Sequence, residues 1–160
     1  MKVMQISWQL ASVVALAGAL LGLGESWQGR AAIAQSLTLD ADFMPNPSTV
    51  EGVGGGDRPA ADVVNTANSS TGPCLGYIST APHEEVVLEA NFSNLEMRVE
   101  SDLDTTLVIS GPGGVWCNDD SGSKNPAIAG AWLPGTYQIW VGAYRADQTP
   151  DYTLLIQDRP

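Results

Sequence analysis

The residues best suited to chemistry are oxygen donors crowded into one stretch, Asn118-Asp119-Asp120-Ser121-Gly122, with Asn125 just beyond and Asp102 and Asp104 expected on an adjacent loop. Carboxylate, amide and backbone-carbonyl oxygens are what Ca²⁺ takes, roughly six to eight of them at about 2.3–2.6 Å. Asp102, Asp104, Asn118, Asp119, Asp120 and Asn125 are therefore candidate ligands of a structural calcium ion. The spacing is not that of a helix-loop-helix calcium loop, which requires alternating acids and a closing bidentate glutamate. The same residue types also build turns, because Asp and Asn side chains accept hydrogen bonds from nearby backbone amides. On sequence alone both readings stand.

Two neighbouring acids also suggest glycoside hydrolysis, in which a pair of carboxyl groups flanks the sugar bond at about 5–9 Å. On a strand, however, Asp119 and Asp120 point to opposite faces. His83 is the single histidine, so it is the only imidazole a serine nucleophile could use. It sits in Ala81-Pro82-His83-Glu84-Glu85, a polar stretch read as a solvated turn, and no Gly-x-Ser-x-Gly elbow accompanies any serine. Arg98 and Lys124 read as surface charges. No catalytic residue is assigned, and a protein that is not an enzyme is expected.

Trp116, Trp132, Trp140 and Tyr144 are candidate ligand-binding aromatics, since flat rings on an outer β-face stack on sugars or peptides. Trp140 alternates against Tyr137, Ile139 and Val141, and Leu155 against Leu154 and Ile156. Each sheet of a sandwich has one inner face, so one of the two sets must look outward. Either Trp140 is an exposed platform, or the N-terminal segment folds over Trp140 and Leu155.

Cys74 and Cys117 are the only cysteines, and a disulfide between them is the leading reading in an oxidising compartment. The loop so closed spans 44 residues counted inclusively. Loop-closure entropy puts its effect at about 4 kcal/mol, a large share of a small domain's stability.

The elements expected to position these residues are strands. Val86, Leu88, Ala90 and Phe92 share one face of EVVLEANF, and Leu95, Met97 and Val99 alternate with Glu96, Arg98 and Glu100, with a turn expected at Ser93-Asn94. Leu107 and Ile109 precede the break Gly111-Pro112-Gly113-Gly114, and Val115-Trp116 opens the next strand. After Pro134-Gly135, Tyr137, Ile139 and Val141 form one face; Tyr152, Leu154 and Ile156 repeat the pattern. With LGYIS beside Cys74 and no sustained helical period, the expected fold is all-β, a single antiparallel β-sandwich or jelly-roll-like domain over residues 73–160. Residues 35–72 carry Pro45-Asn46-Pro47 and Gly54-Gly55-Gly56 without a persistent period. They are expected to be irregular, either a solvated arm or a segment (39–72) laid on the domain through Phe43, Met44 and Val50.

Residues 1–34 read as a cleavable export signal: Lys2, the apolar run Leu10–Gly24 and a small-x-small site at Ala32-Ile33-Ala34. As a helix the 15-residue run covers roughly 22 Å, short of the roughly 30 Å hydrocarbon core. From Gln35 onward five cations face seventeen acids, a net charge of −12. Such a surface repels nucleic-acid phosphates and anionic lipid heads, so no nucleic-acid partner and no membrane association after cleavage are expected. The expected location is secreted, periplasmic or cell-envelope.

The run SDLDTTLVISGPGGVWCNDDSGSKNP, followed by PGTYQIWVGAY and DYTLLIQ, resembles the bacterial pre-peptidase C-terminal type domain. The resemblance rests on Asp102-x-Asp104 before the strand 105–110, the Gly-Pro-Gly-Gly turn, Pro134-Gly135-Thr136-Tyr137 and the tyrosine-led strand from Tyr152, and it spans roughly 39–158. It implies a β-sandwich accessory module of exported proteins and carries no peptidase activity over. The expected function is a non-catalytic exported module binding an extracellular protein or glycan. The alternatives are a component of a secreted peptidase or hydrolase system, or a purely structural envelope protein.

Overall fold

A computed structural model of the chain describes residues 35–159; the expected export signal lies outside the described residues. In chain order the elements are β1 (Gln35–Leu39), β2 (Ser48–Val53), β3 (Arg58–Pro59), α1 (Ala60–Val63), β4 (Asn68–Ser69), β5 (Gly72–Pro73), β6 (Tyr77–Ile78) and β7 (Glu84–Leu88). They continue with β8 (Phe92–Glu100), β9 (Thr105–Gly111), β10 (Gly114–Asn118), β11 (Ala127–Trp132), β12 (Gly135–Ala143) and β13 (Asp151–Asp158). Two sheets make the sandwich. One runs β1-β7-β12-β9-β10, with β6 and β3 added at the end of β12; the other runs β11-β8-β13-β2. All ladders are antiparallel except β1 with β7, which pair in parallel from Gln35↔Glu84 to Leu39↔Leu88.

Period-two alternation builds the main core. Val86 and Leu88 of β7, Leu95, Met97 and Val99 of β8, and Leu154 and Ile156 of β13 all point between the sheets and are buried. Each such side chain, fully removed from water, contributes about 1.5–3 kcal/mol. The sequence expectation placed Ala90 and Phe92 on the preceding strand and a turn at Ser93-Asn94. In the structure the chain turns at residues 89–91, and Ser93 and Asn94 lie inside β8.

The central strands β9 and β12 behave differently. Thr105 through Ile109 are buried without a break, as are Ile139 through Ala143. Continuous burial of this kind marks strands covered on both faces. The inner face carries Leu107, Ile109, Tyr137, Ile139 and Val141; the outer face carries Val108 and Trp140, which pack in a second core with Ala60, Cys74, Ile78 and Cys117. Gly142 allows this cover to lie close, because a Cβ there would stand 2.3 Å from Thr106 Oγ1 and 2.8 Å from Ile78 Cγ2.

Residues 35–72 are thus not irregular. They supply one edge strand to each sheet, β1 and β2, then α1, whose Ala60 packs with Trp140, and the β4-β5 hairpin, whose Ser69 and Thr71 hydrogen-bond to Cys117 of β10. Proline breakers between β1 and β2 mark the crossing from one sheet to the other, and they obscure two strands that are each only five or six residues long. The sandwich therefore begins at β1, not at residue 73. Among the described residues no helix is long and apolar enough to cross a membrane.

Candidate binding groove at the open edge of the sandwich

The candidate aromatics are mostly interior. Trp132 and Trp140 are 3% and 5% exposed. Trp116 is half-buried against Trp132, with ring centroids 4.9 Å apart, and Trp132 meets Tyr137 edge-on at 5.3 Å. The Trp132 indole N–H donates to the Leu95 carbonyl at 2.9 Å, so its polar edge is satisfied inside the core. This cluster joins β10 to β11 and seals one long side of the sandwich. Trp140 is the outward-facing member, and Ala60 of the N-terminal segment packs over it with Cys74, as one of the two readings required; Leu155, named with it, is only half-buried and belongs to neither core. Of the four candidate aromatics, Tyr144 is 43% exposed and Trp116 half-buried, while Trp132 and Trp140 lie in the two cores.

The oxygen-rich stretch makes turns. Asn118 Oδ1 accepts from the Ala127 amide at 3.2 Å; Asn125 Oδ1 accepts from the Thr105 hydroxyl at 2.8 Å, while its Nδ2 donates to the Ser101 carbonyl at 2.7 Å. The Lys124 ammonium donates to the Asp102 carbonyl, which places a cation of the chain at the loop. Among the described residues no three of Asp, Glu, His and Cys converge on a common point. Asn118 and Asn125 are thus engaged in the turn, one of the two readings the sequence left open for Asp102, Asp104, Asn118, Asp119, Asp120 and Asn125. Cys74 and Cys117 form the expected disulfide, both buried, and tie the segment before β6 to β10.

A buried polar cluster went unread. The Tyr152 hydroxyl donates to Glu84 Oε1 at 2.6 Å, and His83 packs edge-on to Tyr152 with ring centroids 6.3 Å apart. His83, expected to be a solvated turn residue, is half-buried, and its Nδ1 accepts from the Val141 amide at 3.2 Å. Burial lowers its pKa against a raising hydrogen bond from the Gly55 main chain. Burial raises the Glu84 pKa against the Tyr152 hydrogen bond, and burial with the Glu84 carboxyl raises that of Tyr152. Ser79 Oγ lies 3.4 Å from His83 Nε2, but its hydroxyl donates to the Ala81 carbonyl at 2.6 Å. A serine nucleophile needs that proton directed to the imidazole. The signal was available: Glu84 shares the period-two face of Val86 and Leu88, as Tyr152 shares that of Leu154 and Ile156.

One more correction concerns charge. Arg98 is half-buried and pairs through Nε with the buried Glu96 at 3.1 Å, and Arg159 reaches the same oxygen at 2.8 Å. The remaining feature is a groove of about 430 Å³ on the side of the sandwich opposite the Trp116–Trp132 pair, and neither cation lines it. There β1 and β2 are the edges of their two sheets. The groove between them is lined by Leu37, Leu39, Phe43 and Met44 and by the acids Asp40, Asp42 and Glu89. Leu39 and Phe43 are buried in the floor, whereas Met44 is 83% exposed at the rim. Glu89 is set there by its amide, which donates to the Leu39 carbonyl at 2.9 Å, and Asp40 Oδ1 accepts from the Asp42 amide at 3.2 Å. No pattern along a single strand announces this site, because it is assembled from the edges of opposing sheets.

No family model matches the chain. Among solved structures it is similar to the pre-peptidase C-terminal domain of collagenase from Bacillus anthracis, a domain of the type the sequence resembles. The identity is 10%, over 78% of this chain and 97% of that one, with a TM-score of 0.44. It is also similar to PliG, a periplasmic inhibitor of g-type lysozyme from Aeromonas hydrophila, at 11% identity over 79% of this chain and 100% of that one, with a TM-score of 0.39. In sequence it is 31% identical over 131 residues to the uncharacterized protein Synpcc7942_2126 of Synechococcus elongatus, covering 79% of this chain and 87% of that protein. The chain belongs to the same family as that Synechococcus protein.

Proposed function

We propose that this chain is an exported, non-catalytic β-sandwich module that docks another exported protein in the groove between β1 and β2. The observation that carries the proposal is the asymmetry of the two long sides: β10 and β11 are closed by Trp116 and Trp132, while β1 and β2 stay apart over a groove with Met44 at its rim. An edge strand beside a groove of mixed polar and apolar lining is a ready surface for an incoming chain. Export is supported by the buried Cys74–Cys117 disulfide and by the charge, apolar run and small-x-small order of residues 1–34. The lack of catalysis is supported by His83, whose Nδ1 is held by the Val141 amide, and by Ser79, whose proton points away from it. A glycan ligand loses its stacking platform with Trp132 and Trp140 in the interior, so protein is the favoured class of partner.

The test is site-specific photocrosslinking in the exporting cells, with a photoreactive residue at Met44 and, as control, at Leu103, which is 38% exposed and does not line the groove. A discrete adduct from Met44 and none from Leu103, identified by mass spectrometry and rebuilt from purified partners, is expected. The same adducts from both positions, or none from either, would overturn the proposal.

A further inference from the structure

Resting on that docking reading, we infer that the occupant of the groove is an extended, cationic segment of another protein, added as a strand alongside β1. Three observations define it. First, among the described residues β7 is the sole neighbour of β1 in its sheet, and one side of the β1 backbone has no strand partner there. Unpaired N–H and C=O groups of this kind are satisfied by an added strand, and the two-residue period of that strand sends alternate side chains into the adjoining pocket.

Second, the lining is divided. Leu37, Phe43 and Met44 offer an apolar seat, while Asp40, Asp42 and Glu89 gather at the C-terminal end of β1. Third, those acids lack a cation of their own among the described residues. The ion pairs among those residues are Arg98 and Arg159 with Glu96, and Arg58, Lys124 and Arg145 form none with Asp40, Asp42 or Glu89. A partner segment alternating Lys or Arg with an apolar residue matches both halves of the lining and draws on the long-range attraction of a surface with net charge −12 from Gln35 onward. A second copy of this chain does not match. Two β1 edges paired about a two-fold axis run antiparallel and set the acid end of each copy against the Gln35 end of the other, where the described residues offer no cation to Asp40, Asp42 and Glu89.

The experiment is fluorescence anisotropy on the full chain with three labelled hexapeptides: alternating valine and lysine, the same with glutamate for lysine, and the valine–lysine peptide with alternate backbone nitrogens methylated. The lysine peptide should bind, while the glutamate and methylated peptides should not. Asp40→Asn/Asp42→Asn/Glu89→Gln should weaken binding about tenfold at low salt, and Asp119→Asn/Asp120→Asn by no more than about twofold. Equal weakening by the two acid variants would reduce the effect to general attraction and overturn the inference, as would undiminished binding of the methylated peptide. A Met44 crosslink to a partner combined with no binding of the lysine peptide would leave the docking site standing and overturn this account of its occupant. Absence of both would remove the two together.

Discussion

The Tyr152 hydroxyl donates to Glu84 Oε1 at 2.6 Å across the interior of the sandwich, joining the first residue of β7 to the second of β13. Both residues are under 5% exposed, and Glu84 Oε2 has no partner of its own. Removing the hydroxyl leaves a carboxyl group with neither oxygen bonded, which costs more than a surface hydrogen bond. Tyr152→Phe should lose about 1.5–3 kcal/mol in urea unfolding at neutral pH with an unchanged denaturant slope. A loss below about 0.5 kcal/mol would mean that the bond contributes little. Gly52→Ala should act on the same bond from outside, because its Cβ would stand 2.5 Å from Tyr152 Oη.

Glu84 and His83 impose opposite pH dependences. Burial raises the Glu84 pKa in the fold, so its contribution to stability is complete below the ordinary carboxyl value of 4.5 and is lost as pH rises through the raised value. Burial lowers that of His83, so its contribution is complete above the ordinary 6.5 and is lost as pH falls through the lowered value. Glu84→Gln keeps an acceptor for Tyr152 without a charge. Its stability relative to the native protein should be most favourable at pH 8 and should decline steadily toward pH 4, read as the difference in urea midpoints. A difference that does not vary with pH would show that Glu84 has no displaced titration.

Much of the sandwich was legible because its strands alternate: Leu95, Met97 and Val99, or Tyr152, Leu154 and Ile156, are sorted by period two alone. The alternation also sorted the inner faces of β9 and β12 but did not show that their outer faces are covered, and it failed at β1 and β2, which are short and separated by Pro45 and Pro47. Phe43 and Val50 do anchor the N-terminal segment, but Met44, grouped with them, points to solvent. The groove depends on which edges the topology leaves open, and that is a property of strand order rather than of local pattern. His83 was misread because its neighbours Pro82 and Glu85 suggest a wet turn, while its ring is captured by β12 from elsewhere in the chain.

The loop from Asn118 to Asn125 should hold without metal. Asn125 bridges Thr105 and the Ser101 carbonyl, two bonds that tie the start of β9 to this loop. Asn125→Ala should cost about 1–3 kcal/mol, and Asp119→Ala less than about 0.5 kcal/mol. Melting temperatures of the native protein in calcium and in chelator should agree within about 1 °C, a shift equivalent to only a few tenths of a kcal/mol. A rise of several degrees in calcium that disappears in Asp119→Ala would restore a calcium site to this loop.

Trp140 lies on the outer face of β12 and is covered by Ala60, Cys74, Ile78 and Cys117, so the disulfide is part of its roof. Cys74→Ser/Cys117→Ser should therefore have two separable effects. Stability should fall by about 2–4 kcal/mol, because the unfolded chain regains the freedom that the cross-link removed. The roof over Trp140 should also loosen in the native state, which a red shift of indole emission before the unfolding transition would report. Trp116 and Trp132 belong to the other core and should not contribute, so adding Trp140→Phe to the cysteine variant should abolish the shift while leaving the stability loss. A shift that survives Trp140→Phe would place the loosening between the sheets, and would mean that the disulfide holds the sandwich itself together rather than its outer cover.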